Sequence, residues 1–178
     1  MNLLDHPPAT WGEILADKGQ AAYRGRQMAH WVYQRFITDP LKMSNIPAGI
    51  RDLVATGTLS LDHPELLSSA HSFDGTVKMA FRLLDGPVIE SVLIPRKGQW
   101  TLCLSTQAGC GIGCRFCRTA SMGLTRNLTT SEILPNGFWP RVWWRLSPLT
   151  NQGSTILSSW GWGSPWPISR LSFRPFVP

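Results

Sequence analysis

The amino-acid sequence predicts an α/β protein in which a small helical domain precedes several β-strands and a cysteine-rich loop. Three observations support this class. Apolar residues recur at helical spacing over roughly the first 60 positions, alternate with polar residues between positions 77 and 105, and are followed by a run of cysteines. All four cysteines lie between positions 103 and 117. The chain has 178 residues, 43% of them hydrophobic, which is enough for a packed core.

The N-terminal segment predicts three helices. Thr10–Glu13 match a capping box and Gly19 fits the residue after a helix end, so a short helix is expected between them. A second helix is expected over residues 21–36, and a third begins at Pro47 and stops at Gly57. We interpret their apolar stripes as core packing. The cations of this domain fit either a solvated face or a phosphate-binding patch, and they are Arg24, Arg26, Arg35 and Lys42.

Alternation with a period of two predicts β-strands in the middle of the chain. Val77–Leu83 alternate, Asp85–Gly86 suit a hairpin turn, and Val88–Ile94 return as the second strand of the hairpin. Trp100–Ser105 predict a further strand, which leads into the glycine-rich cysteine loop. Residues 131–132 then mark the start of a helix. The order along the chain is therefore strand, cysteine loop, helix.

The composition changes abruptly after Leu134. Residues 1–133 hold 13 Lys and Arg against 11 Asp and Glu, whereas the remainder holds four Arg and no acidic residue. That remainder also contains six of the nine tryptophans and seven of the fourteen prolines, and no segment of it keeps a helical or strand period. An aromatic, arginine-rich tail could stack on RNA, or it could be peptide that was never selected to fold. We expect residues 135–178 not to fold natively.

The sequence shows neither a membrane span nor a secretion signal. Its apolar stretches are interrupted by charge or proline well short of a span, and its first residues are acidic where a signal peptide would be basic and apolar. We therefore expect a cytoplasmic protein with no membrane partner. In a reducing compartment, four crowded cysteines indicate metal or redox chemistry rather than a disulfide scaffold.

The cysteine loop carries the strongest chemical signal. Cys110, Cys114 and Cys117 form a C-x3-C-x2-C pattern among glycines, with Phe116 before the last cysteine. Three thiolates on such a loop can hold three irons of a [4Fe–4S] cluster and leave the fourth iron open to S-adenosylmethionine. The main alternative is structural zinc with Cys103 as a fourth thiolate, although zinc sites commonly pair cysteines in two C-x2-C knuckles. The spacing favours the cluster over zinc, and zinc over unliganded cysteines.

Five motifs carry a family resemblance: Tyr23–Gln27, Asp74–Thr76, Ile89–Pro95, Cys110–Cys117 and Met122–Thr129. Together they resemble the RlmN/Cfr family of radical S-adenosylmethionine enzymes. That family methylates an adenine carbon in ribosomal RNA and, in its RlmN branch, also in transfer RNA. The cysteine spacing alone is typical of the whole radical-SAM superfamily, whereas the flanking motifs are specific to this family. The resemblance covers about residues 10–133.

The resemblance implies a role for each site residue. Cys110, Cys114 and Cys117 would bind the [4Fe–4S] cluster with S-adenosylmethionine, Glu90 would be the proton acceptor, and Cys103 would form a transient disulfide with a second, methyl-carrying cysteine. In the family, a 5′-deoxyadenosyl radical abstracts hydrogen from that methyl group, and the carbon radical adds to the adenine. Taken alone, Glu90 fits an ordinary surface carboxylate, and Cys103 fits a small buried apolar residue.

The resemblance also implies substrates, partners and a domain plan. The substrates would be carbon 2 of an adenine in 23S ribosomal RNA and in tRNA, with an electron donor such as flavodoxin or ferredoxin. Residues 1–70 would form the RNA-facing helical domain, residues 71–95 a β-hairpin connection, and residues 96–134 the start of a radical-SAM partial (β/α) barrel, about one strand–helix unit. The family's methylatable cysteine and its glycine-glutamate-proline motif have no counterpart here, since no cysteine follows Cys117.

Residues 135–178 fit an out-of-frame peptide. Codons for residues 155–168, read from the third base of Thr155, permit Asn-Ile-Val-Phe-Met-Gly-Met-Gly-Glu-Pro-Leu-Ala-Asn, which resembles the family's missing cofactor-binding strand. We therefore expect one base lost, or two gained, near codon 134, and an inactive polypeptide in the present frame. Two other functions stay open at this point. One is a different, short radical-SAM enzyme, and the other is a zinc-bearing RNA-binding module that uses all four cysteines.

Overall fold

The computed structural model describes residues 1–96 and 99–133, together with the backbone of residues 155–160. The chain divides into two compact units, Met1–His63 and the part that starts at Pro64. The boundary lies before the predicted residue 70 because the first strand of the second unit already begins at Glu65. The roles predicted for the four segments stay predictions. In the described part of the chain, no helix is both long and apolar enough to span a membrane.

The first unit contains the three predicted helices. They are α1 (Trp11–Ala16), α2 (Tyr23–Arg35) and α3 (Ala48–Ala55). Short 3-10 turns lie at Leu3–Asp5, Pro8–Thr10 and Pro40–Lys42. The helices and turns bury one apolar core, since each helix has too few residues to be stable by itself. Its members are Leu3, Leu4, Trp11, Leu15, Met28, Val32, Met43, Ile46, Ile50, Leu59 and Leu61.

The helix ends agree with the sequence in two places and differ in one. Gly19 and Gly57 follow α1 and α3 with φ of +74° and +73°, the left-handed conformation that ends a helix. The capping box at Thr10 is wrong. The Thr10 hydroxyl donates to the Pro7 carbonyl at 2.8 Å, because the chain enters α1 directly from a 3-10 turn and Thr10 already has helical dihedral angles.

Helices α1 and α2 approach each other closely at two glycines. A Cβ atom on Gly25 would lie 2.6 Å from the backbone carbonyl carbon of Trp11, and one on Gly12 would lie 2.7 Å from the Ala22 carbonyl oxygen. Both distances are well below van der Waals contact, so this helix pair requires glycine at both positions. The glycine of the Tyr23–Gln27 motif therefore has a packing role.

The second unit is built on an antiparallel sheet that begins with four consecutive strands. They are β1 (Glu65–His71), β2 (Val77–Arg82), β3 (Val88–Arg96) and β4 (Gln99–Ser105). The strands predicted from alternation are confirmed, and the hairpin turn contains Gly86 with φ of +106°. The sequence analysis missed β1, whose residues are almost all exposed and so lack an alternating pattern.

One face of this sheet is buried and the other is open in the described part of the chain. The buried face carries Val77, Met79, Phe81, Ile89, Ser91, Leu93, Leu102 and Leu104. Antiparallel pairing places Ala80 opposite Glu90 and Val92 opposite Cys103, so these four residues share the other face. The register therefore decides which side chains lie on the open face.

A second, two-stranded sheet carries the cysteine loop. Strand β5 (Gln107–Gly109) pairs antiparallel with β6 (Leu124–Asn127), and the short helix α4 (Arg118–Ser121) lies between them. A further helix begins at Thr130, as residues 131–132 predicted. The expected order of strand, cysteine loop and helix is confirmed.

The segment Thr155–Trp160 forms strand β7, which runs parallel to β4 with Cys103 opposite Ser158. This strand lies in the tail that the sequence predicts not to fold natively, and that prediction is not confirmed for these six residues. The unpaired edge of β4 accepts any extended backbone, and Thr, Ile and Trp favour the β conformation even without alternation. The out-of-frame origin predicted for residues 135–178 concerns the gene, and most of that tail lies outside the described residues.

Candidate cofactor-binding loop and active site

The two ends of the cysteine loop lie next to each other on the β5–β6 ribbon. Cys110 directly follows β5, and its N–H donates to the Gly123 carbonyl oxygen at 2.9 Å, just before β6 begins. Gly109 pairs with Leu124 across this ribbon. At the far side, Cys117 is the residue before α4, and its N–H donates to the Cys114 carbonyl at 3.1 Å. The three cysteines therefore lie on one loop, and a backbone hydrogen bond joins the two ends of that loop.

Glycines make this closure possible. Gly109 has φ of +81°, and a Cβ at this position would overlap the Gly123 carbonyl oxygen and come within 3.1 Å of its carbon. Gly113 and Gly123 also have positive φ, of +72° and +73°. Residues with a side chain rarely adopt this conformation, so the loop shape depends on glycine at these positions.

The donor set of the loop suits an iron–sulfur cluster. Cys110, Cys114 and Cys117 are each half-buried, and they are free thiols in the described part of the chain. Three cysteine thiolates on one loop are typical ligands of such a cluster. Across the ranges that the structure describes, no three His, Cys, Asp or Glu side chains yet form a metal-binding group. Cluster binding would therefore have to draw the three sulfur atoms together.

Glu90 and Cys103 lie diagonally across two adjacent strands on the open face of the sheet. Cys103 pairs with Val92, two residues beyond Glu90 on β3. Diagonal neighbours of this kind lie roughly 7–8 Å apart, within reach of each other's side chains through a bound molecule. The structure thus brings together the two residues to which the resemblance gave catalytic roles, although they are distant from each other in sequence.

Glu90 is an exposed carboxylate with a lysine partner. The Lys78 Nζ lies 2.7 Å from the Glu90 Oε1, and both side chains are 54% exposed. Exposed pairs of this kind are worth at most about 1 kcal/mol, so Glu90 can leave its partner at little cost. The Ser105 hydroxyl donates to the backbone carbonyl of Glu90 at 2.8 Å and ties β3 to β4 at this point.

Cys103 holds its proton more strongly than an exposed thiol does. Partial burial raises the pKa of its thiol above the ordinary value, because the thiolate loses solvation. At neutral pH, Cys103 is therefore mainly a protonated thiol and reacts slowly until something removes its proton. A zinc site that used all four cysteines would need Cys103 to join the loop thiols, whereas a [4Fe–4S] cluster would need only the three loop thiols.

The sequence analysis missed an ionic cluster beside the loop. The Arg126 guanidinium binds Asp85 through Nε and Nη2, at 2.8 and 2.7 Å, and binds Glu132 through Nη1 and Nη2, both at 2.7 Å. Hydrogen bonds from Arg126 hold the pKa of both carboxyl groups below their ordinary values. Only Glu132 could have been found from neighbouring residues, because Thr129–Glu132 match a capping box. In that box the Glu132 Oε2 accepts the Thr129 N–H at 2.9 Å.

The predicted cationic patch on the helical unit separates into two kinds of residue. Arg24 donates to Gln27 at 2.7 Å and to the Asn45 carbonyl at 2.9 Å, and its guanidinium lies 4.6 Å from the Tyr23 ring centroid. Arg24 is therefore a structural residue. Arg26 and Arg35 are exposed on α2, and Lys42 is exposed at 3.8 Å from Asp39.

Comparison with known proteins identifies relatives of this chain. The family model of the ribosomal RNA large subunit methyltransferase N-terminal domain matches residues 1–56. A curated "Dual-specificity RNA methyltransferase RlmN" from Geobacter sulfurreducens is 46% identical over 122 residues, which cover 68% of this chain and 33% of the relative. The chain is related to the RlmN methyltransferases. The RlmN of Alkalilimnicola ehrlichii is 41% identical over 134 residues, or 75% of this chain and 37% of that protein.

A solved structure supports the same relationship. The crystal structure of a radical SAM methyltransferase from Sphaerobacter thermophilus matches with a TM-score of 0.73 and 37% identity, and the match covers 86% of this chain and 47% of that chain. The chain spans about one third of the length of the RlmN relatives named above. The resemblance seen in the five sequence motifs is confirmed.

Proposed function

We propose that this chain carries the RNA-facing unit and the cofactor-binding loop of a radical S-adenosylmethionine methyltransferase. The proposed substrates are carbon 2 of an adenine in 23S ribosomal RNA and in tRNA, which places the reaction in the cytoplasm. The single observation that carries the proposal is the closed loop with three free thiols, Cys110, Cys114 and Cys117, in a chain related to RlmN. A flavodoxin or ferredoxin would supply the electron.

The three loop thiols would hold the cluster, and the glycines would let the backbone follow its surface closely. A [4Fe–4S] cluster with bound S-adenosylmethionine supplies one-electron chemistry that starts with hydrogen abstraction. The protein around the loop must orient the cluster and S-adenosylmethionine and exclude water from them. The positive-φ glycines suit the task of orientation, because they let the backbone turn tightly between the three thiols.

Glu90 and Cys103 would act on the open sheet face. Glu90 would accept a proton after it separates from Lys78, and its exposure makes that separation inexpensive. In a complete enzyme of this kind, Cys103 would form the transient disulfide with a methyl-carrying cysteine, which the present sequence does not contain, and its raised pKa means that a base must first take its proton. Their diagonal placement lets both residues reach one bound nucleotide.

The first test of this proposal is the metal that the chain binds. After anaerobic reconstitution of the full chain with iron and sulfide, we expect about four irons per chain, the content of one [4Fe–4S] cluster. The variant with Cys110, Cys114 and Cys117 replaced by serine should bind almost none. Cys103→Ser is the matched control and should keep its cluster, because Cys103 is outside the ligand set. Stoichiometric zinc that is lost in Cys103→Ser would overturn the proposal in favour of the four-cysteine zinc module.

RNA binding tests the other unit. Arg26→Ala and Arg35→Ala should weaken binding of ribosomal RNA fragments and lower its dependence on salt, because each exposed guanidinium can neutralise a phosphate. Lys18→Ala, which removes an exposed cation near the end of α1, is the control for net charge. Equal losses in all three variants would show that charge alone, and no patch on α2, attracts the RNA.

A further inference from the structure

We propose that Arg126 is a positioning residue that fixes strand β6, and that the loop thiols reach their metal-binding geometry only while Asp85 and Glu132 hold Arg126 in place. The inference rests on the proposed function, since it concerns the loop that would hold the cluster. The same contacts of Arg126 are expected to order the loop when no metal is bound. Arg126 itself would touch neither cluster nor substrate.

Arg126 lies on the strand that closes the cysteine loop. Arg126 pairs with Ala108 across the β5–β6 ribbon, two residues before Cys110. Three residues upstream of Arg126, the Gly123 carbonyl accepts the Cys110 N–H that closes the loop. A shift of β6 would therefore move the closure point of the loop directly. The next residue, Asn127, adds a hydrogen bond from the Gln107 amide at 2.8 Å.

The β5–β6 ribbon is short and depends on contacts outside itself. Strand β5 has three residues and β6 has four. An isolated two-stranded ribbon is marginally stable in water, and this one is shorter than most. Beyond the ribbon, the Thr106 carbonyl accepts the Leu128 N–H at 2.9 Å. Ala108 of the ribbon and the adjacent Leu128 are buried in the apolar core of the main sheet, and Arg126 adds an ionic link from β6 to the β2–β3 turn.

Arg126 connects three elements of the second unit through paired hydrogen bonds to two carboxylates. Asp85 belongs to the β2–β3 turn and Glu132 to the first turn of the helix that begins at Thr130. One guanidinium thus bridges three elements, with two paired hydrogen bonds to each carboxylate. The Glu132 side chain is only 11% exposed, so its charge depends on this partner. Lysine cannot replace the planar fork of arginine, because an ammonium group cannot form two bidentate pairs.

The experiment compares Arg126→Gln, Arg126→Lys and Asp85→Asn in the full chain. Anaerobic titration with Co²⁺, a spectroscopic probe of thiolate ligation, should show affinity weakened on the order of 10-fold or more in Arg126→Gln. Arg126→Lys should not recover it, and Asp85→Asn should lie between Arg126→Gln and wild type. Hydrogen exchange of metal-free loop amides over residues 110–123 should quicken in the same order. Lys78→Ala, which removes an ion pair of equal length elsewhere on the sheet, should leave both readouts unchanged.

The outcomes separate this inference from the proposed function. A wild-type chain that takes up neither iron nor Co²⁺ would contradict the proposed function, and the hydrogen-exchange comparison would still test Arg126. Wild-type affinity and wild-type exchange in both Arg126 variants would overturn the inference, as would full recovery by Arg126→Lys. If Arg126→Gln fails to fold, as circular dichroism would show, Asp85→Asn decides. That variant removes one of the two carboxylates at a 47% exposed position.

Discussion

Replacing Gly25 by alanine should force helices α1 and α2 apart. A Cβ at this position would lie 2.6 Å from the Trp11 carbonyl carbon and 2.7 Å from the Gly12 Cα. Non-bonded carbon atoms prefer separations of about 3.5–4.0 Å, so roughly 1 Å of movement is needed. The obstructing atoms belong to the backbone, which means that no side chain can rotate to relieve the clash. Trp11, which is fully buried, would have to move with α1.

The expected loss of stability is about 2 kcal/mol. Overpacking of a well-packed core costs about 1–3 kcal/mol, and a clash with backbone on the partner helix belongs at the upper end of that range. Alanine is a better helix former than glycine by about 0.8–1 kcal/mol, which offsets part of the cost. The difference between these two terms gives the figure.

Urea unfolding followed by circular dichroism measures the free energy, and hydrogen exchange of residues 11–35 assigns the loss to the first unit. Gly49→Ala is the matched control, since Gly49 is also in a helix and its Cβ would meet the Gln20 side-chain amide at 2.9 Å. That amide is at the end of a flexible side chain and can move, so the control should be neutral or slightly more stable. If Gly25→Ala is as stable as Gly49→Ala, the close helix contact does not exist as described.

Three further predictions follow from individual side chains. Within the described part of the chain, the buried Ser91 hydroxyl has no hydrogen-bond partner, so Ser91→Ala should stabilise the protein by about 1 kcal/mol, whereas Ser105→Ala should destabilise it by a similar amount. Urea unfolding should distinguish the two, and a loss in both would contradict this reasoning. The carboxylates bound to Arg126 have lowered pKa values, so their contribution is complete above about pH 4–5 and is lost as the pH falls through the folded pKa values. Unfolding measured from pH 7 to pH 3 should therefore show a weaker acid dependence in Arg126→Gln than in wild type, and equal slopes would refute the linkage. With the loop cysteines replaced by serine, Cys103 should react with iodoacetamide with a pH midpoint above that of a cysteine peptide, and a lower midpoint would contradict its burial.

The elements that the sequence predicted well are those with a local physical cause. Alternation over Val77–Leu83 and the Asp85–Gly86 turn act between neighbouring residues, and the hairpin formed as expected. Strand β1 escaped notice because it is exposed on both faces and leaves no alternating signal. Strand β7 escaped because its edge position, and not its own pattern, makes it a strand.

The sequence by itself showed the relationship to RlmN and predicted which three thiols would hold a cluster. Cysteine spacing and glycine positions act within one loop, so they can be read from a single segment of chain. Only the tertiary structure decided that Glu90 and Cys103 share a face, because strand register sets this over the length of two strands. It also decided that Arg126 meets Asp85, 41 residues away. A contact at that separation depends on how the hairpin turn and the β5–β6 ribbon pack together, and this packing leaves no periodic trace in the sequence.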